Sequence, residues 1–140
     1  MLNAVLIDAG PLIALFDKND KYHDEIKSFI SLKKYKFITT VAVIAEVSHM
    51  LNFNINVQID FLVWIANNGI ILCEIQNSDI YEIIKLTKKY SDIPMDFADA
   101  SLIIAAQKNS VKTIISLDKD FDIYRLPGKV KIKNIFNANS

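Results

Sequence analysis

The chain of 140 residues holds one cysteine, three glycines, three prolines and two histidines, and each shortage removes a class of chemistry. With Cys73 alone there is no internal disulfide framework and no multi-thiolate zinc site. Its setting, Ile70-Ile71-Leu72-Cys73-Glu74-Ile75, predicts a buried apolar role. Gly10, Gly69 and Gly128 cannot compose a G-x-G-x-x-G fingerprint or a phosphate-cradling P-loop, and there is no G-x-S-x-G elbow. His23 and His49 stand far apart and outside any H-E-x-x-H pattern, which argues against a catalytic zinc. Lys+Arg and Asp+Glu number 16 each, so the composition announces no strongly basic nucleic-acid binder. No apolar run approaches the ~20 residues of a membrane span. Asp8 breaks the N-terminal run, so no signal peptide is read and a soluble, cytoplasmic protein is expected.

What is present is apolar residues, 51% of the chain, which excludes disorder and is enough for a real core. Without repeats, low-complexity tracts or a linker, residues 1–140 read as one domain. Ala4-Val5-Leu6-Ile7 is a continuous aliphatic run, as in a strand buried on both faces. It ends at Asp8, and Gly10 and Pro11 turn the chain into a short helix, Leu12 to Phe16. Further helices are predicted from Asp20 to Leu32 (Ile26, Phe29 and Ile30 inward, His23 solvated), over Val41–Leu51, over Val57–Asn67 and from Ser78 to Tyr90. In the third of these Ile59, Phe61, Leu62 and Ile65 face inward. In the fourth Ile80, Ile83, Ile84 and Leu86 do so, with Asn77 or Ser78 as the cap. Strands are predicted at Phe37-Ile38, Ile70–Ile75 and Val111–Ile115, with Val130–Ile132 as a last edge strand before a polar tail from Asn137. Strands alternating with helices imply right-handed crossovers: an α/β fold of three layers, α/β/α, around a mostly parallel central sheet of four to five strands.

The chain is organised around Pro94-Met95-Asp96-Phe97-Ala98-Asp99, the start of a nearly all-apolar helix running to Gln107. Asp96 and Asp99 are three apart and share a face; Asp96 also suits an N-cap, and Asp99 would answer the helix dipole. Asp8 and Asp118 each follow a strand, where open α/β sheets place their active sites, although a capping or turn role would explain Asp8 as well. Glu46 is the only acid in the Val41–Leu51 helix and is expected in a cleft rather than in open solvent. Asp118, Asp120 and Asp122 imitate a calcium loop, but Ile123 and Lys129 occupy the positions that need glycine and a bidentate glutamate. Carboxylates gathered in one cleft raise one another's pKa unless a cation neutralises them, and all-oxygen donors favour Mg²⁺ or Mn²⁺. Such a set suits phosphodiester hydrolysis. A haloacid-dehalogenase-like phosphatase would need an acid at Gly10, and a receiver domain acids before the first strand; neither is present. Lys33-Lys34-Tyr35-Lys36 and the edge from Lys85 to Tyr90 are candidates for contact with a phosphate backbone.

Asp8 after Val5-Leu6-Ile7, Glu46 in the stretch from Thr39 to Val47, Asp99 in Asp96-Phe97-Ala98-Asp99-Ala100-Ser101, and Ser116-Leu117-Asp118-Lys119-Asp120-Phe121 together resemble the PIN domain over nearly the whole chain. The likeness is greatest to the small stand-alone PIN proteins that serve as VapC-type toxins. It implies a Mg²⁺- or Mn²⁺-dependent endoribonuclease with catalytic Asp8, Glu46, Asp99 and Asp118. Of these, Asp8, Asp99 and Asp118 would hold metal, with Asp96 and Asp120 as supporting acids. It also implies an RNA substrate, a small antitoxin partner and a homodimer. The chain departs from the family pattern at Ala9 and Gly10, where hydroxyl residues are frequent, and at Ser116, where threonine is usual. The alternative is a catalytically weak PIN-fold module that binds RNA or a protein partner.

Overall fold

The computed structural model describes residues 3–32 and 34–136; Lys33 of the first basic tract and the tail from Asn137 lie outside them. Five strands form one parallel sheet: β1 (Asn3–Ile7), β2 (Tyr35–Thr40), β3 (Ile71–Cys73), β4 (Thr113–Ile115) and β7 (Lys133–Asn134), in the order β3-β2-β1-β4-β7. β1 is central, with Leu6 beside Ile38 of β2 on one side and Ile114 of β4 on the other. Val5, Leu6 and Ile7 are wholly buried, as their unbroken apolar run requires.

Six helices cover the sheet: α1 (Ala9–Phe16), α2 (His23–Ser31), α3 (Val41–Met50), α4 (Ile55–Ala66), α5 (Ile80–Lys89) and α6 (Phe97–Asn109). α1 packs against α2, α3 and α4, while α5 packs on α6, which lies across β1 and β2. The result is the expected three-layer α/β/α architecture around a parallel sheet. From β1 the chain steps outward to β2 and β3, then returns to β4 on the opposite side of β1. The carboxyl ends of β1 and β4 therefore flank the point where the strand order reverses, the natural crevice of an open α/β sheet.

Several local expectations change. α1 begins at Ala9, not Leu12, so Gly10 and Pro11 lie in its first turn, where the missing N–H of proline is harmless. Asp20 closes a turn by accepting from the Tyr22 N–H (2.9 Å) rather than opening α2. His23 is not simply solvated: its Nδ1 is 2.7 Å from the Ala14 carbonyl and ties α2 to α1. α5 is entered through Gln76 and Asp79, with the Gln76 N–H donating to Asp79 Oδ2 (2.7 Å), instead of through Asn77 or Ser78. Ile59 and Leu62 of α4 and Ile80 and Ile84 of α5 are exposed rather than inward. Both helices are apolar beyond the stripe that their neighbours cover; α4 is anchored chiefly by fully buried Phe61, whose ring meets Phe16 edge-on at 5.3 Å. Cys73, on the edge strand β3, is half-buried.

The last expected strand also differs. Val130–Lys131 (β6) pairs antiparallel with Arg125–Leu126 (β5) in a separate ribbon, and β7 takes the edge of the main sheet. Between β5 and β6, Gly128 (φ 76°) and Lys129 (φ 62°) reverse the chain within a few residues, which favours local pairing. At the other end of the sheet, Asn68 (φ 66°) stops α4 as expected, and Gly69 lets the backbone pass the Trp64 indole. A Cβ on Gly69 would fall 2.4 Å from that ring. Gly69→Ala is expected to lower stability by about 1–3 kcal/mol in urea unfolding, the usual cost of overpacking.

Candidate active site

Asp8 ends β1 and caps α1. Its Oδ1 accepts from the Ala9 N–H (2.8 Å) and its Oδ2 from the Ser116 hydroxyl (3.0 Å). The capping role and the site role thus fall on the same carboxylate. Ser116, just past β4, accepts from the Asp118 N–H (3.0 Å), which aims the loop after β4 at Asp8. Asn134 of β7 clamps Ser116 from behind, donating to its carbonyl (2.8 Å) and accepting from its N–H (3.3 Å).

On α6, Asp96 is the N-cap, accepting from the Asp99 N–H at 2.8 Å. The Asp99 side chain is left free to turn inward, where the Tyr124 hydroxyl donates to its Oδ2 at 3.0 Å. Asp118 caps a short 3₁₀ turn over Lys119–Asp122, accepting from the Asp120 N–H at 2.9 Å. One carboxylate oxygen from each of Asp99, Asp118 and Asp120 comes within 4.8 Å of the other two. Asp120, expected as a supporting acid, is in this closest group; Asp8 stands beside it, held by Ser116.

Glu46 occupies the rim. It is exposed on α3 rather than enclosed in a cleft, yet its charge reaches Asp8, and that of Asp96 reaches it. α3 is set against α6 by Thr40, whose hydroxyl lies 2.7 Å from that of Ser101. Ser101 donates to the Ala98 carbonyl (2.6 Å), so Thr40 is the donor between the two hydroxyls. Asp122, the third acid of the false calcium loop, is exposed and outside the group.

The electrostatics follow from this crowding. Burial lifts the Asp8 carboxyl from 3.8 to about 6, opposed by its two hydrogen bonds and assisted by the charges of Asp118 and Glu46. Burial, then the charges of Asp96 and Asp8, lift Asp99 to about 7, against the pull of the Tyr124 hydroxyl. Glu46 and Asp120 are also raised, by burial first and then by Asp96 and Asp118 respectively. Carboxylates that share a cleft and resist ionisation are a donor set that a hard divalent cation fits: it supplies the missing positive charge and takes oxygen ligands only.

Two residues of the site escaped sequence reasoning. Tyr124 is wholly buried, with its ring edge-on to Phe121 (5.1 Å) and Tyr90 (5.0 Å). The three-residue interval from Phe121, the period of a 3₁₀ turn, was the available signal that both rings point inward. Asn134 carried no signal: its partner Ser116 is 18 residues away.

Comparison with known proteins identifies the family and the fold. The PIN domain family model matches residues 5–126. Ribonuclease VapC26 of Mycobacterium tuberculosis is 23% identical over 117 residues, spanning 82% of this chain and 87% of the relative. The crystal structure of M. tuberculosis VapC20, described as a sarcin-ricin loop cleaving toxin, superimposes with a TM-score of 0.74 at 17% identity, covering 91% of this chain and 98% of that one. The structural likeness speaks for the fold, and the family match spans both strand ends and the start of α6: the chain belongs to the PIN domain family.

Proposed function

We propose that the chain is a Mg²⁺- or Mn²⁺-dependent endoribonuclease that hydrolyses RNA phosphodiester bonds as the toxin of a toxin–antitoxin pair. The observation that carries this reading is the convergence of Asp99, Asp118 and Asp120 beside buried Asp8, at the point where the strand order reverses. The names of the two mycobacterial relatives, a ribonuclease and a sarcin-ricin loop cleaving toxin, support it. The same reading makes the protein a cytoplasmic homodimer restrained by a small antitoxin. Among the described residues, no helix is long and apolar enough to cross a membrane.

In this mechanism Asp99, Asp118 and Asp120 would hold the cation, with buried Asp8 beside them as a further ligand. When bound, the ion supplies water activation and charge stabilisation at the leaving oxygen. The chain's own residues do the rest. Ser116 and the Ala9 N–H fix the rotamer of Asp8, so its carboxylate cannot swing away as charge builds. Asp96 holds the first turn of α6, and with it the Asp99 backbone. In this reading Glu46, solvent-accessible and raised in pKa, takes the proton of the attacking water and releases it to bulk.

Titration calorimetry with Mn²⁺ tests the site directly: binding is expected, displaced by excess Mg²⁺ and weakened as the pH falls through 7, where Asp99 takes up a proton. Absence of Mn²⁺ binding at pH 8 would refute the site. Tyr124→Phe removes the hydroxyl alone. It is expected to weaken Mn²⁺ binding by about 10–100-fold, as for other outer-sphere partners of metal ligands. It also moves the acid limb of the pH–rate profile upward, because the hydrogen bond that favours ionised Asp99 is gone.

A further inference from the structure

A site built of acids repels the polyanion it must cut, and the zero net charge of the chain supplies no general attraction. Cations must therefore be gathered somewhere along the path of the substrate. The β5–β6 ribbon shows such a gathering. Arg125 and Lys131 are directly opposite each other in an antiparallel pair, with Leu126 and Val130 taking the inward positions beside them. Like charges in that relation repel. No acid relieves them: the one ion pair among the described residues joins Lys108 and Asp79 elsewhere.

The Arg125 guanidinium is ordered by backbone, not by charge. Its Nη1 donates to the carbonyls of Asp122 (2.6 Å) and Tyr124 (2.9 Å), and its other N–H groups have no acceptor among the described residues. A third cation joins from α5. The Tyr90 hydroxyl accepts from the Arg125 backbone N–H (3.0 Å), and Lys89 lies over the Tyr90 ring at 5.3 Å. This patch is wired to the acidic site by consecutive contacts: Tyr90 against Tyr124, and Tyr124 on Asp99.

We propose that Lys89, Arg125 and Lys131 form the track on which the phosphate backbone of the RNA substrate lies as it leaves the acidic site. The inference rests on the endoribonuclease reading and adds where the substrate runs. RNA is favoured over an acidic protein segment because the patch adjoins a site whose chemistry is directed at phosphodiesters. The ordered guanidinium fork also matches phosphate oxygens. The contacts are to backbone and carry no base preference.

The test reverses charge at the two exposed lysines, Lys89→Glu with Lys131→Glu, against Lys21→Glu with Lys27→Glu, exposed lysines at and just before α2. Binding of a short fluorescein-labelled single-stranded RNA of mixed sequence is followed by anisotropy, in EDTA, across a salt series. The track variant should bind about tenfold or more weakly, with a salt slope shallower by about 0.7 for each phosphate it no longer neutralises. With metal restored, its KM should rise at unchanged kcat, while the control variant behaves as wild type. Cleavage by wild type with an unaltered slope and KM in the track variant, or an equal loss in the control, would overturn the track and leave the nuclease standing. Loss of polyglutamate binding with RNA binding intact would assign the patch to an acidic protein instead. If wild-type protein neither binds nor cuts RNA, the underlying reading falls with it.

Discussion

Asp99→Asn is expected to abolish RNA cleavage while leaving a folded protein. Asp99 is the one acid that joins all parts of the site: it belongs to the closest carboxylate group, accepts from Tyr124, and lies within electrostatic reach of Asp8, Asp96 and Asp118. Removing one ligand charge forfeits several kcal/mol of transition-state stabilisation, a rate loss of about a thousandfold or more. The fold should not suffer. Asparagine keeps the shape and an oxygen for the Tyr124 hydroxyl, and it removes a charge that burial and three neighbouring carboxylates oppose. In EDTA at pH 8 the variant should therefore melt at a higher temperature than wild type. Circular dichroism and thermal melts beside a cleavage assay read both halves. Unfolding, or retained cleavage, would recast Asp99 as structural.

The second large effect is a coupling of pH, metal and stability. Asp8 and Asp99 are raised in the folded chain to about 6 and about 7 from 3.8. Between these values the folded state binds more protons than the unfolded state, so stability must fall as pH rises. For metal-free protein the stabilisation is complete near pH 4 and lost by pH 8, a change on the order of a few kcal/mol. Metal reverses the trend, since a ligand at 100 times its Kd adds about 2.7 kcal/mol and binds ionised carboxylates. Urea unfolding from pH 5 to pH 8 is expected to show a falling midpoint in EDTA and a flat or rising one with Mn²⁺. The Asp8→Asn and Asp99→Asn variants should flatten the EDTA curve. A midpoint that climbs with pH in EDTA would contradict the burial argument.

Legibility in the sequence followed the range of the interactions. β1 was plain because a strand buried on both faces writes an unbroken apolar run that only Asp8 ends. The start of α6 was plain because the Asp96 cap and Asp99 are three residues apart and bonded to each other. Apolar residues lie all round α4, so periodicity cannot say that Ile59 and Leu62 face out. Val130-Lys131 suits either a sheet edge or a local pair, and the turn at Gly128 decides for the pair with β5. Within the site, the acids were visible as residue types at strand and helix ends. Their grouping was not: that Asp120 joins Asp99 and Asp118 depends on how the short turn after β4 folds. Tyr124 and Asn134 act across 25 and 18 residues, through contacts no local pattern encodes.

The central claim is metal-dependent cutting of RNA at these acids, and the most direct measurement is cleavage of a mixed cellular RNA pool by purified wild-type protein. The reactions run side by side with Mg²⁺, with Mn²⁺ and with EDTA. The structure predicts discrete RNA fragments in the two metal reactions and intact RNA in EDTA. Undiminished cleavage in EDTA, or intact RNA under all three conditions, would contradict it.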